Sequence, residues 1–246
     1  FGVDSDSGKW SAEPLPLPPS GTVSLSAANP HSGTVFVNYE DHITPDRLSE
    51  YDAGANELTR IKALPARFRA DGLQVSQHTV RSADGETVPY FVIHCKGLKP
   101  NGSTPTILYG YGGFEISLKP SYSATIGKLW LERGGAYAVA NIRGGGEFGP
   151  RWHKAALKTN RQRAYDDFIA VAEDLAKRGI TSPKHLGISG GSNGGLLVGA
   201  IFTQRPDLLN AVVCRVPLLD MLRYTKLLAG ASWAAEYGDP EDLAMR

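Results

Sequence analysis

Cysteine is scarce in this sequence. Cys95 and Cys214 are its two cysteines, and neither belongs to a CxxC pair. Two cysteines do not make a disulfide framework, so a reducing compartment is the default expectation. We therefore expect a cytoplasmic protein, with the periplasm as the alternative, because a sequence that begins at Phe1 without a methionine makes the lack of a recognisable signal peptide uninformative.

Metal-ligand motifs, an excess of one charge and long apolar runs are also missing. The six histidines show no HExxH or other metal-ligand spacing, so we expect no metal and no cofactor. The formal net charge of +1 gives no electrostatic reason to expect nucleic acid or an anionic membrane as a partner. No apolar run approaches the roughly 20 residues that a membrane span needs. With 41% hydrophobic residues in 246, the composition predicts a globular protein of one large domain, or one domain and part of another.

The first 70 residues have the pattern of short strands separated by turns. Thr34–Tyr39 is a run of β-branched and aromatic residues, and Ser49–Asp52 is followed by the turn-like residues 53–56. This spacing predicts a β-meander or one blade of a propeller.

From about residue 71 strands begin to alternate with helices. Val75–Thr79 and Val88–His94 predict a hairpin around Asp84-Gly85, a common tight-turn pair. The further elements predicted are strands at Thr106–Tyr109, Ala136–Ile142, Leu186–Ser189 and Ala211–Cys214, and helices at 164–175 and 196–202. This alternation predicts an α/β fold with a doubly wound, mostly parallel sheet.

A glycine-rich turn around Ser192 carries the chemistry. Gly190-Gly191-Ser192-Asn193-Gly194-Gly195 contains G-x-S-x-G between a predicted strand and a predicted helix. In a nucleophile elbow the serine occupies a sharp, strained turn, and flanking side chains would collide with the neighbouring strand and helix. The dipole of the helix that follows points at the developing oxyanion. The sequence thus predicts a nucleophilic serine.

Two other glycine clusters follow strands. Gly144–Gly149 matches the dinucleotide fingerprint G-x-G-x-x-G, but Pro150 follows directly instead of a small-residue helix, so we interpret the cluster as a loop. Tyr109–Phe114 lies where an α/β-hydrolase places a loop that supplies an oxyanion donor. No histidine is present there, and Tyr111 could donate through its phenol; the alternative is a tyrosine packed on a glycine turn.

Four motifs together resemble the prolyl oligopeptidase family. They are Tyr109–Phe114, Ala140–Gly149, Gly190–Gly195 and Gln204–Leu208. The resemblance covers residues 71–246 most strongly. It implies that residues 71–246 are the N-terminal part of an α/β-hydrolase catalytic domain, truncated before its last strands, and that residues 1–70 are the end of a β-propeller.

The resemblance also implies roles for single residues. Ser192 would be the nucleophile, and the backbone N–H of Asn193 would form the oxyanion hole with the hydroxyl of Tyr111. Trp233 would stack on the proline of a substrate. Three further residues fall at pocket-lining positions: Phe114, Leu218 and Tyr237. Leu218 is bulkier than the valine of some members, so hydrolysis is a firmer implication than a strict preference for proline.

No histidine follows Ser192; the last one in the sequence is His185. Because α/β-hydrolases order their triad Ser, Asp or Glu, then His, we expect the acid and the base to come from beyond Arg246 and His153 to be structural. We expect the full-length protein to be a monomeric serine-type oligopeptidase that cleaves short peptides after proline, and this chain alone to be inactive. The alternatives are an esterase, an acylaminoacyl- or dipeptidyl-peptidase relative, or a catalytically dead hydrolase fold that acts as a binding protein.

Overall fold

The computed structural model of the chain describes residues 2–3, 6–12, 14–29 and 31–245. The chain divides into two compact units. One contains Phe1–Arg67 and Lys119–Ala124, and the other contains Phe68–Leu118 and Thr125–Arg246. Within the described ranges, no helix is both long enough and apolar enough to cross a membrane.

The first unit is built from antiparallel strands. The two short strands β1 (Gly2–Val3) and β2 (Trp10–Ser11) pair with each other. A four-stranded sheet follows in the order β3-β4-β5-β6, with bounds Thr22–Asn29, Thr34–Glu40, Arg47–Asp52 and Glu57–Ala63. β4 buries Val37 and Tyr39, which alternate with more exposed residues as a half-buried strand requires. Both strands predicted in this region are confirmed, and four consecutive antiparallel strands have the form of a propeller blade.

The second unit contains a six-stranded mixed sheet. Its strands are β7 (Leu73–Arg81), β8 (Thr87–Cys95), β9 (Thr106–Tyr109), β10 (Ala136–Ala140), β11 (Leu186–Gly191) and β12 (Ala211–Arg215). They lie in the order β12-β11-β9-β10-β8-β7. Among β9, β10, β11 and β12, every neighbouring pair is parallel. β8 pairs antiparallel with both β7 and β10. The predicted hairpin and the predicted mostly parallel sheet are confirmed.

The described part of the chain contains five α-helices: α1 (Ala124–Leu129), α2 (Pro150–Lys154), α3 (Gln162–Lys177), α4 (Asn193–Gln204) and α5 (Ala234–Tyr237). The buried face of α3 includes Phe168, Val171 and Leu175, the periodic positions that predicted it. Gly179, with φ +68°, follows its end.

Several predicted boundaries differ from the structure by two or three residues, and local hydrogen bonds explain two of these differences. β10 ends at Ala140 rather than Ile142, because the Ile142 carbonyl accepts the N–H of Gly145 at 3.3 Å and so closes a turn. α4 begins at Asn193 rather than Leu196. Its first turn is closed at the serine itself, since the N–H groups of Gly195 and Leu196 donate to the Ser192 carbonyl at 2.9 and 3.1 Å.

A buried ion pair connects the end of β10 to α3. The Arg143 guanidinium donates to Asp167 at 2.9 Å through Nε and at 2.6 Å through a terminal nitrogen, and its backbone N–H donates to the same carboxylate at 3.0 Å. Asp167 is fully buried and Arg143 is 4% exposed. Arg143 also reaches Asp84 in the turn between β7 and β8, and its hydrogen bond holds the pKa of that carboxyl below the ordinary value. One guanidinium therefore joins the hairpin, the loop after β10 and α3.

We expect Asp167→Ala to destabilise the protein by about 3–5 kcal/mol, because the substitution leaves the buried Arg143 charge without its main partner. Urea unfolding followed by circular dichroism measures the change. Asp166→Ala, one position away on α3 and less buried, is the matched control and should cost within about 0.5 kcal/mol. Equal losses from the two substitutions would contradict the role of the ion pair.

Candidate active site

Ser192 lies at the carboxyl end of β11, in the turn that leads into α4. Its backbone has φ 56° and ψ −119°, a left-handed conformation whose cost for a residue other than glycine is on the order of 1–3 kcal/mol. Its N–H donates to the Arg215 carbonyl at 3.0 Å, and its side chain is exposed. The strained turn thus presents the hydroxyl at the edge of the sheet where the parallel strands β9 to β12 all end.

Three glycines permit this turn by allowing close backbone contacts. A Cβ added to Gly190 would overlap the Gly194 carbonyl. A Cβ on Gly194 would lie 2.7 Å from the Gly110 carbonyl oxygen, and one on Gly195 would lie 2.7 Å from the Arg215 carbonyl oxygen. Gly191 differs from them, because its nearest contact would be an ordinary 3.7 Å. The spacing of the motif therefore has a steric cause at Gly190, Gly194 and Gly195.

Two hydrogen-bond donors lie beside the serine hydroxyl. The Tyr111 side chain, in the loop after β9, lines the same cavity as Ser192, and burial raises the pKa of Tyr111 above its ordinary value. The phenol therefore keeps its proton at neutral pH and remains able to donate. Asn193 is the first residue of α4, where backbone N–H groups have no acceptor within the helix and the helix dipole is positive. This arrangement can stabilise a negative charge that develops next to Ser192.

A cavity of about 250 Å³ opens beside the serine. Its lining comprises Tyr111, Phe114, Ile116, Ser192, Leu218, Trp233 and Tyr237. Every side chain predicted at the site thus lies on this wall except Asn193, whose side chain is buried behind it. Ile116 was missed by the sequence analysis, because an isoleucine a few residues after a glycine cluster carries no distinguishing pattern.

Four of the seven residues that line the cavity are aromatic. Phe114 meets the Tyr237 ring edge-on, with centroids 5.7 Å apart, and Tyr224 meets the same ring edge-on at 5.6 Å. The Arg161 guanidinium lies 5.1 Å from the centre of the Tyr237 ring. Edge-to-face pairs and a cation over the ring hold an aromatic side chain in one orientation, so the cavity presents fixed ring surfaces to a small apolar group.

The Asn193 side chain connects the two halves of the site. The Tyr237 hydroxyl donates to Asn193 Oδ1 at 2.8 Å, and Asn193 Nδ2 donates to the Tyr111 carbonyl at 2.5 Å. The sequence analysis assigned a role to the Asn193 backbone alone. Its amide side chain also fixes the pocket residue Tyr237 relative to the Tyr111 loop.

His153 takes part in a buried charged cluster rather than in a contact with Ser192. Its Nε2 donates to Glu236 Oε2 at 2.7 Å, and Arg161 donates to Glu236 Oε1 at 2.5 Å. Glu236 is 4% exposed and was not singled out from the sequence. Over the ranges that the structure describes, no group of three or more His, Cys, Asp and Glu residues could hold a metal ion.

The loop at Gly144–Gly149 packs against the loop that carries Tyr111. A Cβ on Gly144 would overlap the Gly112 carbonyl, and one on Gly146 would overlap the Glu115 carbonyl. Glu147 Oε1 accepts the Leu118 N–H at 2.8 Å, which holds the far end of the Tyr111 loop. The prediction of a loop at this cluster is confirmed. Gly144 and Gly146 allow the two loops to approach each other closely.

Gly190→Ala and Gly191→Ala provide a matched test of the elbow. We expect Gly190→Ala to destabilise the protein by about 1–3 kcal/mol, because the new methyl overlaps the Gly194 carbonyl. Gly191→Ala should change the midpoint of thermal unfolding little, since its methyl meets ordinary contacts. Differential scanning calorimetry of both variants measures the difference. Equal tolerance of the two alanines would contradict the steric account.

The chain is similar to known proteins over most of its length. Residues 120–245, more than half of the chain, match the prolyl oligopeptidase family. The chain is 57% identical over 239 residues to an uncharacterized peptidase of Sinorhizobium fredii, covering 97% of this chain and 33% of that protein. It is 42% identical over 228 residues to a prolyl endopeptidase of Elizabethkingia meningoseptica, covering 93% of this chain and 32% of that protein.

A solved structure shares the fold. It is that of a post-proline cleaving enzyme from Rickettsia typhi, with a TM-score of 0.84 and 41% sequence identity over 96% of this chain and 34% of that one. The chain therefore spans about a third of the length of the relatives it matches. The predicted α/β-hydrolase fold preceded by the end of a propeller is confirmed. The chain belongs to the prolyl oligopeptidase family of serine peptidases.

Proposed function

We propose that the protein containing this chain hydrolyses short peptides on the carboxyl side of proline, with Ser192 as the nucleophile. The observation that carries the proposal is the 250 Å³ cavity beside Ser192, whose lining combines aromatic rings with the apolar side chains Ile116 and Leu218. A proline ring is compact and apolar, and aromatic faces bind such a group well. The names of the Elizabethkingia and Rickettsia relatives support the same substrate class.

In the proposed mechanism Ser192 attacks the carbonyl carbon of the substrate proline. The tetrahedral intermediate breaks the C–N bond to the next residue, releases that residue's amine and leaves an acyl-enzyme, which water then hydrolyses. The proline ring lies in the cavity against Trp233. The Tyr111 phenol and the Asn193 backbone N–H donate to the oxyanion of the tetrahedral intermediate. In other acyl-transfer enzymes each such donor contributes about 3 kcal/mol to the barrier reduction.

The proton of Ser192 needs a base that this sequence does not supply after the serine. The last histidine is His185, and His153 is bound to Glu236. Because the triad of an α/β-hydrolase follows the order Ser, Asp or Glu, His, we infer that residues outside these 246 provide both partners. The isolated chain is then inactive, since loss of a triad base lowers kcat by about 10⁶ in a well-studied serine protease.

The test uses the complete coding sequence that contains this chain. We expect the purified product to release a chromophore from a blocked dipeptide ending in proline much faster than from its alanine counterpart. Ser192→Ala should abolish the activity. Tyr111→Phe should lower kcat by about 10²–10³ because it removes one oxyanion donor.

Tyr109→Phe is the matched control, a tyrosine two positions earlier that stacks on Tyr137 and does not line the cavity. It should leave kcat and KM close to those of the wild type. Faster cleavage of the alanine substrate, or of an ester, would favour an acylaminoacyl-peptidase or esterase relative. No hydrolysis of any of these substrates by the complete product would favour a binding protein and reject the proposal.

A further inference from the structure

Glu236 lies where the segments that carry the pocket meet, although it does not line the cavity itself. We propose that Glu236 is a positioning residue for proline selectivity, which acts by holding Phe114 and Tyr237 in place. The inference rests on the proposed function and deepens it, because it names a group outside the cavity that determines how well the cavity accepts proline.

The Glu236 carboxylate accepts hydrogen bonds from three different segments. His153 Nε2, on α2, donates at 2.7 Å, Arg161, just before α3, donates at 2.5 Å, and the Phe114 backbone N–H donates at 3.0 Å. A buried carboxylate is costly unless it is paired and hydrogen-bonded, and here both oxygens are engaged. Arg161 also donates to the Gly112 carbonyl at 2.7 Å, so the same pair of charges holds the Phe114 loop at two points.

The loop that Glu236 holds is strained. Phe114 and Glu115 both have φ +55°, and non-glycine residues persist in this conformation only where the surroundings over-determine it. Two backbone bonds also support this turn: the Glu115 N–H donates to the Gly144 carbonyl at 3.2 Å, and the Ile116 N–H donates to the Gly113 carbonyl at 3.1 Å. The bond that the Phe114 N–H donates to Glu236 holds the backbone directly beside the Phe114 ring on the cavity wall.

Tyr237, the second pocket ring, follows Glu236 on a helix of four residues. A helix of one turn is not stable by itself, so its side-chain contacts determine its position. Those contacts include the Glu236 bonds on one side and the bond from Tyr237 to Asn193 on the other, together with the ring contacts of Tyr237 described above. Ser192, in contrast, is held by backbone bonds of the elbow. Loss of Glu236 should therefore disturb the pocket more than the nucleophile.

The experiment compares Glu236→Ala with Glu236→Gln in the complete protein, on proline and alanine substrates that carry the same leaving group. We expect Glu236→Ala to lower the ratio of kcat/KM for proline to that for alanine by about tenfold or more, the scale of losing good packing in an apolar pocket. Glutamine keeps an oxygen that can accept from Arg161 and Phe114, so Glu236→Gln should retain most of the ratio. Glu173→Ala, which removes an exposed ion pair with Arg205, is the matched control and should leave the ratio unchanged.

A second measurement does not depend on peptidase activity. Hydrogen–deuterium exchange in a peptide covering residues 112–117 should be faster in Glu236→Ala than in the wild type and near the wild-type rate in Glu236→Gln. If the wild-type protein does not cleave after proline, the proposed function fails and this exchange rate decides the positioning role. An unchanged exchange rate or an unchanged substrate ratio in Glu236→Ala would overturn the inference. If Glu236→Ala does not fold, Glu236→Asp replaces it in both measurements. The aspartate side chain is shorter by one methylene, so its carboxylate lies farther from the Phe114 N–H.

Discussion

The left-handed backbone of Ser192 is the constraint on which the rest of the site depends. It turns the chain sharply from β11 into α4, and a turn this tight brings backbone atoms of both elements into contact. Gly190 and Gly194 lack side chains because those contacts leave no space for them. The same closeness brings the loops after β9 and β12 against the elbow, so Tyr111 and the cavity walls assemble around the strained residue.

Different forces hold the nucleophile and the pocket. Backbone hydrogen bonds hold Ser192 within a regular strand and helix, and the sheet beneath it is anchored by the buried pair of Arg143 and Asp167. The pocket rings lie on loops and a single-turn helix, which have few backbone bonds of their own. There the contacts of the buried Glu236 carboxylate with His153 and Arg161 hold the segments together. A family can therefore keep one elbow while the pocket changes with a few side chains.

Most of the fold can be predicted from the sequence because the residue patterns that indicate strands, helices and turns lie within short segments. Apolar runs mark β9 to β12, and glycines between a strand and a helix mark Ser192. Errors of two or three residues arise at the end of β10 and the start of α4, where turn hydrogen bonds decide the boundary. The pocket roles of Trp233 and Tyr237 come from family resemblance, not from any period. Glu236 was missed because its bonds to Phe114, His153 and Arg161 span 122, 83 and 75 positions, and such distant pairings leave no periodic trace.

Those separations also bear on how the site forms. Contacts between distant positions require large loops to close before they contribute stability, so they form late and slowly. The elbow needs β11, the start of α4 and, through Gly194, the loop after β9, whereas the cavity needs α5 to dock on a loop more than a hundred residues earlier. The cavity beside Ser192 therefore depends on contacts of longer range in the sequence than the serine turn does.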